Sequence, residues 1–165
     1  MTTGTFISLG NSHQSFSRLL KNIEQFADKL PKPILIQRGH TEFSSKFAEI
    51  IAFMDMNAFM KAINNHSLII LHGGAGSIIQ AVSQKKVPVV MARRKIFGEH
   101  IDDHQVEFVN KLASQQLIVS LEESINFLDA CNCALAIQNK FIEKNVDSKL
   151  IGYLVQEKLE TYAKL

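Results

Sequence analysis

An apolar run that passes directly into a glycine-rich turn restricts the fold of this chain more than any other feature. Leu68 to Leu71 form the run, and the next six residues read His-Gly-Gly-Ala-Gly-Ser. A short, uninterrupted run of leucine and isoleucine is typical of a buried strand in a parallel sheet. Ile78, Ile79 and Val82 then recur at helical spacing. The segment therefore predicts a strand, a tight turn and the start of a helix.

The same alternation of strand and helix continues along the chain. Pro31 and Pro33 end the first helical pattern, and Asp55 is placed to cap a later helix. Strands are predicted at residues 5–9, 34–37, 47–52, 68–71, 87–91 and 117–119, with helices between them and a helical segment at 122–165. This order predicts an α/β fold, a Rossmann-like parallel sheet with helices on both faces. The length is that of one domain, so residues 1–165 are treated as a single unit.

Composition limits the classes of partner. The formal net charge is only +2, so nucleic acid is not expected as a partner. The two cysteines, Cys131 and Cys133, argue against a disulfide framework and favour the reducing cytoplasm. No apolar run approaches the ~20 residues of a membrane span, and the N-terminus lacks the features of a signal peptide. Any membrane contact is expected to be peripheral or indirect.

The glycine-rich turn has the properties of a phosphate site. Glycines let the backbone approach a ligand closely, and the free N–H groups and dipole at a helix start attract anions. The turn lacks the Gly-Lys-Ser/Thr ending of a nucleoside triphosphatase, and it follows the fourth strand rather than the first, which disfavours a plain NAD site. The structural alternative is a turn that only packs the helix close to the sheet.

A second polar cluster occupies residues 97–105, in the loop and helix start after the fifth predicted strand. Loops at the carboxyl ends of neighbouring parallel strands share one crevice, so this cluster is expected to face the same ligand as the glycine turn. His100 and His104 are four residues apart with acidic neighbours, a pattern that metal ligands can use. A solvated helix start is the commoner explanation of such a pattern, and no metal is expected.

These segments resemble the C-terminal domain of family 28 glycosyltransferases. The resemblance rests on HGGAGSIIQAV and VPVVMARRKIFGEHIDDHQVEFV, together with TFISLGNSHQSFSRLL and ILIQRG, and it covers residues 5–120. The small stand-alone members are the most similar, namely donor-binding subunits of bacterial exopolysaccharide and capsule transferases and of a two-part lipid-linked N-acetylglucosaminyltransferase. The resemblance implies a domain equivalent to the C-terminal half of a GT-B glycosyltransferase.

The resemblance also implies a set of donor-binding residues. Gly10 and Asn11 match the phosphate-side loop, where relatives often have threonine in place of Asn11. Gln80 stands where relatives commonly place an acidic residue on the ribose, and His104 and Gln105 match the pair that touches the donor sugar. The full implied set is Gly10, Asn11, His72, Gly73, Gly74, Ala75, Gly76, Ser77, Gln80, Glu99, His100, Asp103, His104 and Gln105.

The implied function is glycosyl transfer from a UDP-sugar to a lipid-linked acceptor in polysaccharide or glycolipid synthesis, with no cofactor and no metal. A membrane-associated acceptor-binding subunit would complete the site and recruit the chain to the inner face of a membrane. The catalytic base is expected on that partner, and His13 is the minor candidate in this chain. Two alternatives stay open: a non-catalytic nucleotide-sugar-binding regulatory subunit, and a metal-dependent hydrolase built on His100, Asp103 and His104.

Three other groups of residues receive a structural interpretation. Residues 93–95, Arg-Arg-Lys, are expected in a solvated loop, with contact to diphosphate or acidic lipid as the alternative. Met54, Met56 and Met60 are expected in the core or in helix packing. A C-terminal pattern predicts one apolar helical face that docks on a partner or packs on the sheet. Its residues are Ile151, Leu154, Val155, Leu159 and Tyr162.

Overall fold

The protein forms a six-stranded parallel sheet with helices on both faces, in a computed structural model that describes residues 2–122, 125–143 and 157. The strands are β1 Thr5–Ser8, β2 Ile34–Gln37, β3 Glu49–Ile51, β4 Leu68–His72, β5 Val89–Met91 and β6 Val119–Ser120. The helices are α1 Ser17–Phe26, α2 Met56–Asn65, α3 Ala75–Ser83, α4 His104–Ser114 and α5 Phe127–Glu143. A turn of 3-10 helix, Lys95–Phe97, lies between β5 and α4.

The strand order creates a crevice at the centre of the sheet. The order is β3-β2-β1-β4-β5-β6, and Thr5 of β1 pairs with Ile34 of β2 on one side and Leu68 of β4 on the other. The connections therefore run outward in opposite directions from β1 and β4. In open parallel sheets, ligands bind at such a switch point, beyond the carboxyl ends of the strands. The predicted α/β class is confirmed, and the glycine turn after β4 lies at this point.

Two hydrophobic layers enclose the sheet. One layer joins buried residues of α1 and α5 to the sheet, and the other joins α2, α3 and α4 to its opposite face. Neighbouring residues of β1 alternate between them, because successive side chains of a strand point to opposite faces: Ile7 belongs to the first layer and Phe6 to the second. Both faces of the central strands are therefore covered, which explains the unbroken apolar run of β4.

The strand bounds differ from the sequence prediction most in β3, β5 and β6, and by one residue at the ends of β1 and β4. β5 begins at Val89 rather than at 87, since Pro88 has no N–H to donate to a ladder. β6 begins at Val119 rather than at 117, because the backbone N–H of Leu117 still donates to Leu112 O at the end of α4. β3 has three residues instead of the predicted six, and it lies at the edge of the sheet, where it pairs with β2.

The predicted C-terminal helical segment is described in part. α5 ends at Glu143, and the Phe127 ring at its start stacks on Phe26 of α1 with ring centroids 5.5 Å apart. The predicted apolar face from Ile151 to Tyr162 lies outside the described residues. In the part of the chain that the structure describes, none of the helices has the length and apolar character of a membrane span.

Candidate functional site

A cavity of about 250 Å³ lies beyond the carboxyl ends of β1 and β4, where the strand order changes direction. Half of the residues implied for the donor site line it: Gly10, Asn11, His72, Gly74, Gly76, Ser77 and Gln80. The other lining residues are Ser8, Gln37, Met54, Asp55, Met56 and Phe59. The fold thus joins the loop after β1 and the glycine turn after β4 in one site.

The imidazole of His72 fills the narrow space between the loop after β1 and the glycine turn. A Cβ atom at Gly10 would lie 2.5 Å from His72 Cε1, and a Cβ atom at Gly74 would overlap His72 Nε2. Gly10 also has a φ of +74°, which favours glycine, whereas Gly74 has an ordinary φ of −73°. Position 74 therefore requires glycine only because a side chain would not fit, not because of its backbone conformation. The group that occupies the space is the imidazole of His72.

The neutral form of His72 is the stable form at neutral pH. Burial lowers the pKa of its imidazole from 6.5 to about 4, and the positive charge of Arg93 contributes to the same shift. Its Nδ1 atom is buried and has no hydrogen bond of good geometry within the described part of the protein, although a contact with the Ser8 backbone acts to raise the pKa. A neutral imidazole has one donor nitrogen and one acceptor nitrogen. A buried polar atom without a partner at a cavity wall is a candidate for contact with a bound ligand.

The start of α3 borders the same cavity. Gly74 is its N-cap residue and offers no side chain to the first turn. The first N–H groups of an α-helix have no partner within the helix, and the helix dipole adds positive charge there. A Cβ atom at Gly76, in the first turn, would meet no heavy atom within 4 Å. This open space beside a helix start suits a phosphate group.

A chain of hydrogen bonds in the cavity wall holds Asn11. The Ser8 hydroxyl donates to Gln37 Oε1 at 2.9 Å, and Gln37 Nε2 donates to Asn11 Oδ1 at 3.2 Å. Ser8 and Gln37 are buried. Because Oδ1 of Asn11 already accepts a bond, its Nδ2 group is left with two donors beside the cavity. An amide donor therefore stands where the resemblance implies a threonine hydroxyl.

The end of the cavity next to α2 is apolar and rich in sulfur. Met54, Met56 and Phe59 line it, and Asp55 caps α2 as predicted, with Oδ1 accepting from Ala58 N at 2.8 Å. Met56 is 61% exposed, so its assignment to packing was wrong. Met54 packs partly against the core and lines the cavity as well. The sequence prediction missed this end, because no spacing in the sequence relates the start of α2 to the glycine turn.

The loop after β5 meets the glycine turn through Gln105. Gln105 Oε1 accepts a hydrogen bond from Arg93 N at 3.0 Å, and a Cβ atom at Gly73 would lie 2.7 Å from the same oxygen. The two loops predicted to share one crevice are therefore in contact. Gln105 and its neighbours His100, Asp103 and His104 do not line the cavity, so their contacts with a donor stay predictions.

The polar residues before α4 bond mainly to one another and to backbone. Asp102 Oδ1 lies 3.0 Å from His100 Nδ1 and accepts from His104 N at 3.1 Å, and Asp103 Oδ1 accepts from Lys95 N at 2.9 Å. Among the described residues, no group of three or more His, Cys, Asp and Glu side chains is arranged to hold a metal ion. The metal-dependent hydrolase on His100, Asp103 and His104 has no ligand cluster to support it in this part of the chain.

Glu99 braces the loop after β5 instead of lining the cavity. Its Oε1 accepts from Arg18 Nε at 3.1 Å, and its Oε2 accepts from Arg18 Nη2 at 2.8 Å and from Arg94 N at 3.0 Å. The side chain of Glu99 is only 4% exposed. The carboxylate is thus engaged by α1 and by its own loop, and the donor contact that the resemblance implies for Glu99 has no support in the geometry.

Replacing Glu99 with glutamine is expected to lower the free energy of unfolding by roughly 1–3 kcal/mol. A value in the lower half of this range is expected, because Arg18 is partly exposed. The amide would lose the charge that pairs with Arg18 and would place one donor against another. Thermal unfolding measures the effect as a lower Tm. Glu42→Gln is the matched control, since the Glu42 carboxylate is 94% exposed and lies 3.6 Å from Arg38. Equal Tm values for the two variants would contradict the bracing role of Glu99.

Two histidines without partners in the sequence are partners in the fold. The rings of His13 and His40 lie 4.3 Å apart, and Phe53 packs edge-on against His40 at 4.9 Å. This pair could not be predicted from the sequence, because β1 and β2 become neighbours only in the sheet. His66, in contrast, is buried and bonds to Ala62 O within α2. A catalytic role for His13 stays a prediction.

Comparison with known proteins identifies the relatives of this chain. The family model described as the glycosyltransferase family 28 C-terminal domain matches residues 13–129. No curated protein sequence is significantly similar to the chain.

Similar solved structures are glycosyltransferases. SnogD from Streptomyces nogalater has a TM-score of 0.62 and 10% identity, over 98% of this chain and 44% of that chain. The calicheamicin glycosyltransferase CalG4 has a TM-score of 0.65 and 13% identity, over 98% of this chain and 43% of that chain. MurG from Acinetobacter baumannii has a TM-score of 0.51 and 16% identity, over 100% of this chain and 50% of that chain.

Identities this low establish the fold alone, which is that of the C-terminal half of a GT-B glycosyltransferase. The chain spans half or less of the length of these three transferases. The family assignment rests on the sequence match, which covers well over half of the chain and includes the glycine turn and the loop after β5. The chain therefore belongs to the family of the glycosyltransferase family 28 C-terminal domain.

Proposed function

We propose that the chain is the donor-binding, catalytic part of a UDP-sugar glycosyltransferase that acts on a lipid-linked acceptor in polysaccharide or glycolipid synthesis. The observation that carries the proposal is the two-ended cavity at the switch point of the sheet. One end borders the start of α3, and the other is lined by Met54, Met56 and Phe59. A nucleoside diphosphate has the matching character, with an anionic end and an aromatic base.

The lining of the cavity favours one orientation of the nucleotide. The diphosphate would lie against the first turn of α3 and accept hydrogen bonds from backbone N–H groups, from Asn11 Nδ2 and from His72. The base would lie between the methionines near the start of α2, where thioether groups pack well against aromatic rings. Gln80, which lies on α3 and lines the same cavity, would bond to a ribose hydroxyl. The choice of uridine is taken from the family resemblance.

The reaction would be displacement at the anomeric carbon of the sugar. The acceptor hydroxyl oxygen forms the new bond, the bond from the anomeric carbon to the UDP oxygen breaks, and UDP leaves with the bonding electrons. Donors at the start of α3 stabilise the charge that develops on the diphosphate, which is electrostatic catalysis by groups fixed in advance. The proton of the acceptor hydroxyl goes to a base, which we place on the acceptor-binding part.

The acceptor-binding part would cover an apolar rim on the carboxyl edge of the sheet. The rim consists of Phe53 and Met56 beside α2 and of Ile96, Phe97 and Ile101 in the loop after β5. These five residues are 47–75% exposed, and they lie on two sides of the central crevice. Five large apolar side chains left in water around one crevice favour a protein partner there. We propose a membrane-associated, acceptor-binding polypeptide as that partner.

A non-catalytic, nucleotide-sugar-binding regulatory subunit is the second candidate, because the same cavity would serve it equally well. Turnover separates the two. The chain is assayed with UDP-sugars and a lipid-linked acceptor in the presence of the acceptor-binding polypeptide. Transfer that is lost when the chain is omitted supports the catalytic role, whereas full transfer by the partner alone supports the regulatory role.

UDP is expected to bind the isolated chain at least tenfold more tightly than uridine, because the diphosphate contributes contacts with α3, Asn11 and His72 that the nucleoside lacks; tenfold corresponds to about 1.4 kcal/mol. Binding is expected to persist in EDTA, since backbone dipoles and side-chain donors replace a metal ion. Calorimetric titration with UDP and a competitive titration with uridine measure both quantities.

The two parts of this prediction fail separately. Loss of UDP binding in EDTA and recovery with a divalent cation would show a metal-dependent site. Equal affinities for UDP and uridine would remove the phosphate site at α3 while leaving a nucleoside pocket. If neither UDP nor uridine binds, the proposed function of this chain is wrong.

A further inference from the structure

Arg93 is the largest fully buried side chain in the described part of the protein, with 1% of its surface exposed. The sequence interpretation placed it in a solvated loop, and this was wrong. A buried charge is costly unless it is paired or hydrogen-bonded, so a buried arginine has to be explained. Neighbouring groups accept most of the hydrogen bonds that the Arg93 guanidinium can donate, but among the described residues no carboxylate pairs with Arg93 alone.

The Arg93 guanidinium joins the two loops that border the candidate donor site. Nη2 donates to Leu9 O at 2.9 Å, directly before Gly10, and Nη1 donates to Gln14 O at 2.8 Å. Nη1 also donates to Glu99 O at 3.2 Å, in the loop after β5. Three carbonyl groups therefore hold one planar cation, a geometry that the fork of arginine fits and the point charge of lysine does not.

The positive charge of Arg93 is not cancelled nearby. The Glu99 carboxylate, whose charge acts on Arg93, is already bonded to Arg18 at 2.8 Å. Two guanidinium groups and one carboxylate thus leave one net positive charge behind the site. The Nε atom of Arg93 is buried without a hydrogen-bond partner, and its guanidinium stacks 4.6 Å from the centre of the Phe16 ring.

The charge acts on the cavity through a residue that lines it. Among the causes that lower the pKa of His72, the charge of Arg93 is second to burial. A charge buried in protein is screened less than a charge in water, so it still acts on groups several ångströms away. The same field that disfavours a protonated His72 favours an anion at the start of α3.

We propose that Arg93 is the charge-bearing positioning residue of the donor site: its buried cation, held by the carbonyl groups of Leu9, Gln14 and Glu99, fixes the loop after β1 and selects the diphosphate without touching it. This rests on the proposed function, since it assumes a nucleoside diphosphate in the cavity. The competing explanation is that Arg93 only holds the two loops in place and its charge has no effect on binding. The two differ in how binding of UDP and of uridine respond to loss of the charge.

The test compares Arg93→Met, which removes the charge, with Arg93→Lys, which keeps it. Arg93→Met is expected to weaken UDP binding at least tenfold and uridine binding less than twofold. Arg93→Lys is expected to keep most of the preference for UDP over uridine, although both variants lower Tm. Arg38→Met is the matched control: the Arg38 guanidinium also donates to two backbone carbonyls, those of Gly39 and Thr41, but it is 25% exposed. The control is expected to leave the preference unchanged.

A second measurement needs no ligand. NMR titration of His72 is expected to give a higher imidazole pKa in Arg93→Met than in the wild-type chain, with a smaller change in Arg93→Lys. If Arg93→Met does not fold, Arg93→Gln takes its place in both measurements. An unchanged His72 titration, or equal losses for UDP and uridine, would overturn the proposal while the proposed function stands. Failure of the wild-type chain to bind UDP would overturn both.

Discussion

Gly74→Val is expected to weaken UDP binding by roughly 100-fold, about 2.7 kcal/mol, while the chain still folds. One reason for such a loss is that a side chain at position 74 would occupy the space of the diphosphate. The structure gives another. A Cβ atom at position 74 overlaps Nε2 of His72, and Gly10 closes the other side of the imidazole, so the ring has to leave its place.

A double-mutant cycle separates the two reasons. If Gly74 is needed for the imidazole, His72→Ala removes the collision, and Gly74→Val then costs little beyond the loss caused by His72→Ala itself. The expected coupling is about 1–2 kcal/mol, which is typical of residues in contact. If valine instead fills the space of the diphosphate, its full cost persists in the His72→Ala background, and our account of Gly74 is wrong.

Gly76→Val is the matched control in the same cycle. A Cβ atom there meets no protein atom within 4 Å, and Gly76 lines the cavity. Valine at 76 is therefore expected to weaken UDP binding by occupying ligand space, with the same cost whether or not His72 is present. Calorimetry gives the four affinities of each cycle, and thermal unfolding checks that every variant is folded.

Gly74 and Gly76 show which part of the site could be predicted from the sequence and which part could not. The strand, the turn and the helix start were evident from Leu68 to Val82, because hydrophobic spacing and glycine are local signals. The alternation of elements and the resemblance predicted the α/β class, but the strand order comes from the structure. Which glycine serves a ligand and which serves a neighbouring side chain depends on a contact between β1 and β4, and sequence spacing carries no information about it.

Burial changes the interpretation of Arg93, which was expected in solvent and is buried. Glu99 is buried as well, and its expected contact with the donor stays a prediction. An Arg-Arg-Lys run has the composition of a solvated loop, and only the fold shows that Leu9 and Gln14 present their carbonyl groups to Arg93. Gln37 was missed for the same reason, since the hydrogen bond that gives it a part in the site comes from another strand.

Transfer activity is expected to be absent from the isolated chain and to appear when the acceptor-binding polypeptide is added. The solved transferases with this fold are at least twice as long as the part that this chain matches. The cavity is open on the carboxyl edge of the sheet, and the apolar rim around it is exposed. A second domain would cover that rim, exclude water from the reacting sugar and bring the acceptor and the base.

Two charged variants test whether the rim is the surface that binds this partner. Ile96→Asp and Ile101→Asp place a carboxylate at positions that are 75% and 73% exposed, so neither is expected to change folding or UDP affinity. Both are expected to lower partner-dependent transfer at least tenfold, because a buried interface does not tolerate an unpaired charge. The comparison is Ile142→Asp, on α5, at a position that is 59% exposed and away from the rim.

The outcomes distinguish three arrangements of the complete enzyme. Loss of transfer in the two rim variants, with normal transfer in Ile142→Asp, places the partner over the donor cavity. Loss in Ile142→Asp alone would place it against α5 and would contradict the role of the rim. Full transfer by the purified wild-type chain would mean that the acceptor and the base are bound within one domain. In that case the exposed Ile96, Phe97 and Ile101 would need another explanation, and His13, on the loop after β1, would become the first residue to test as the base.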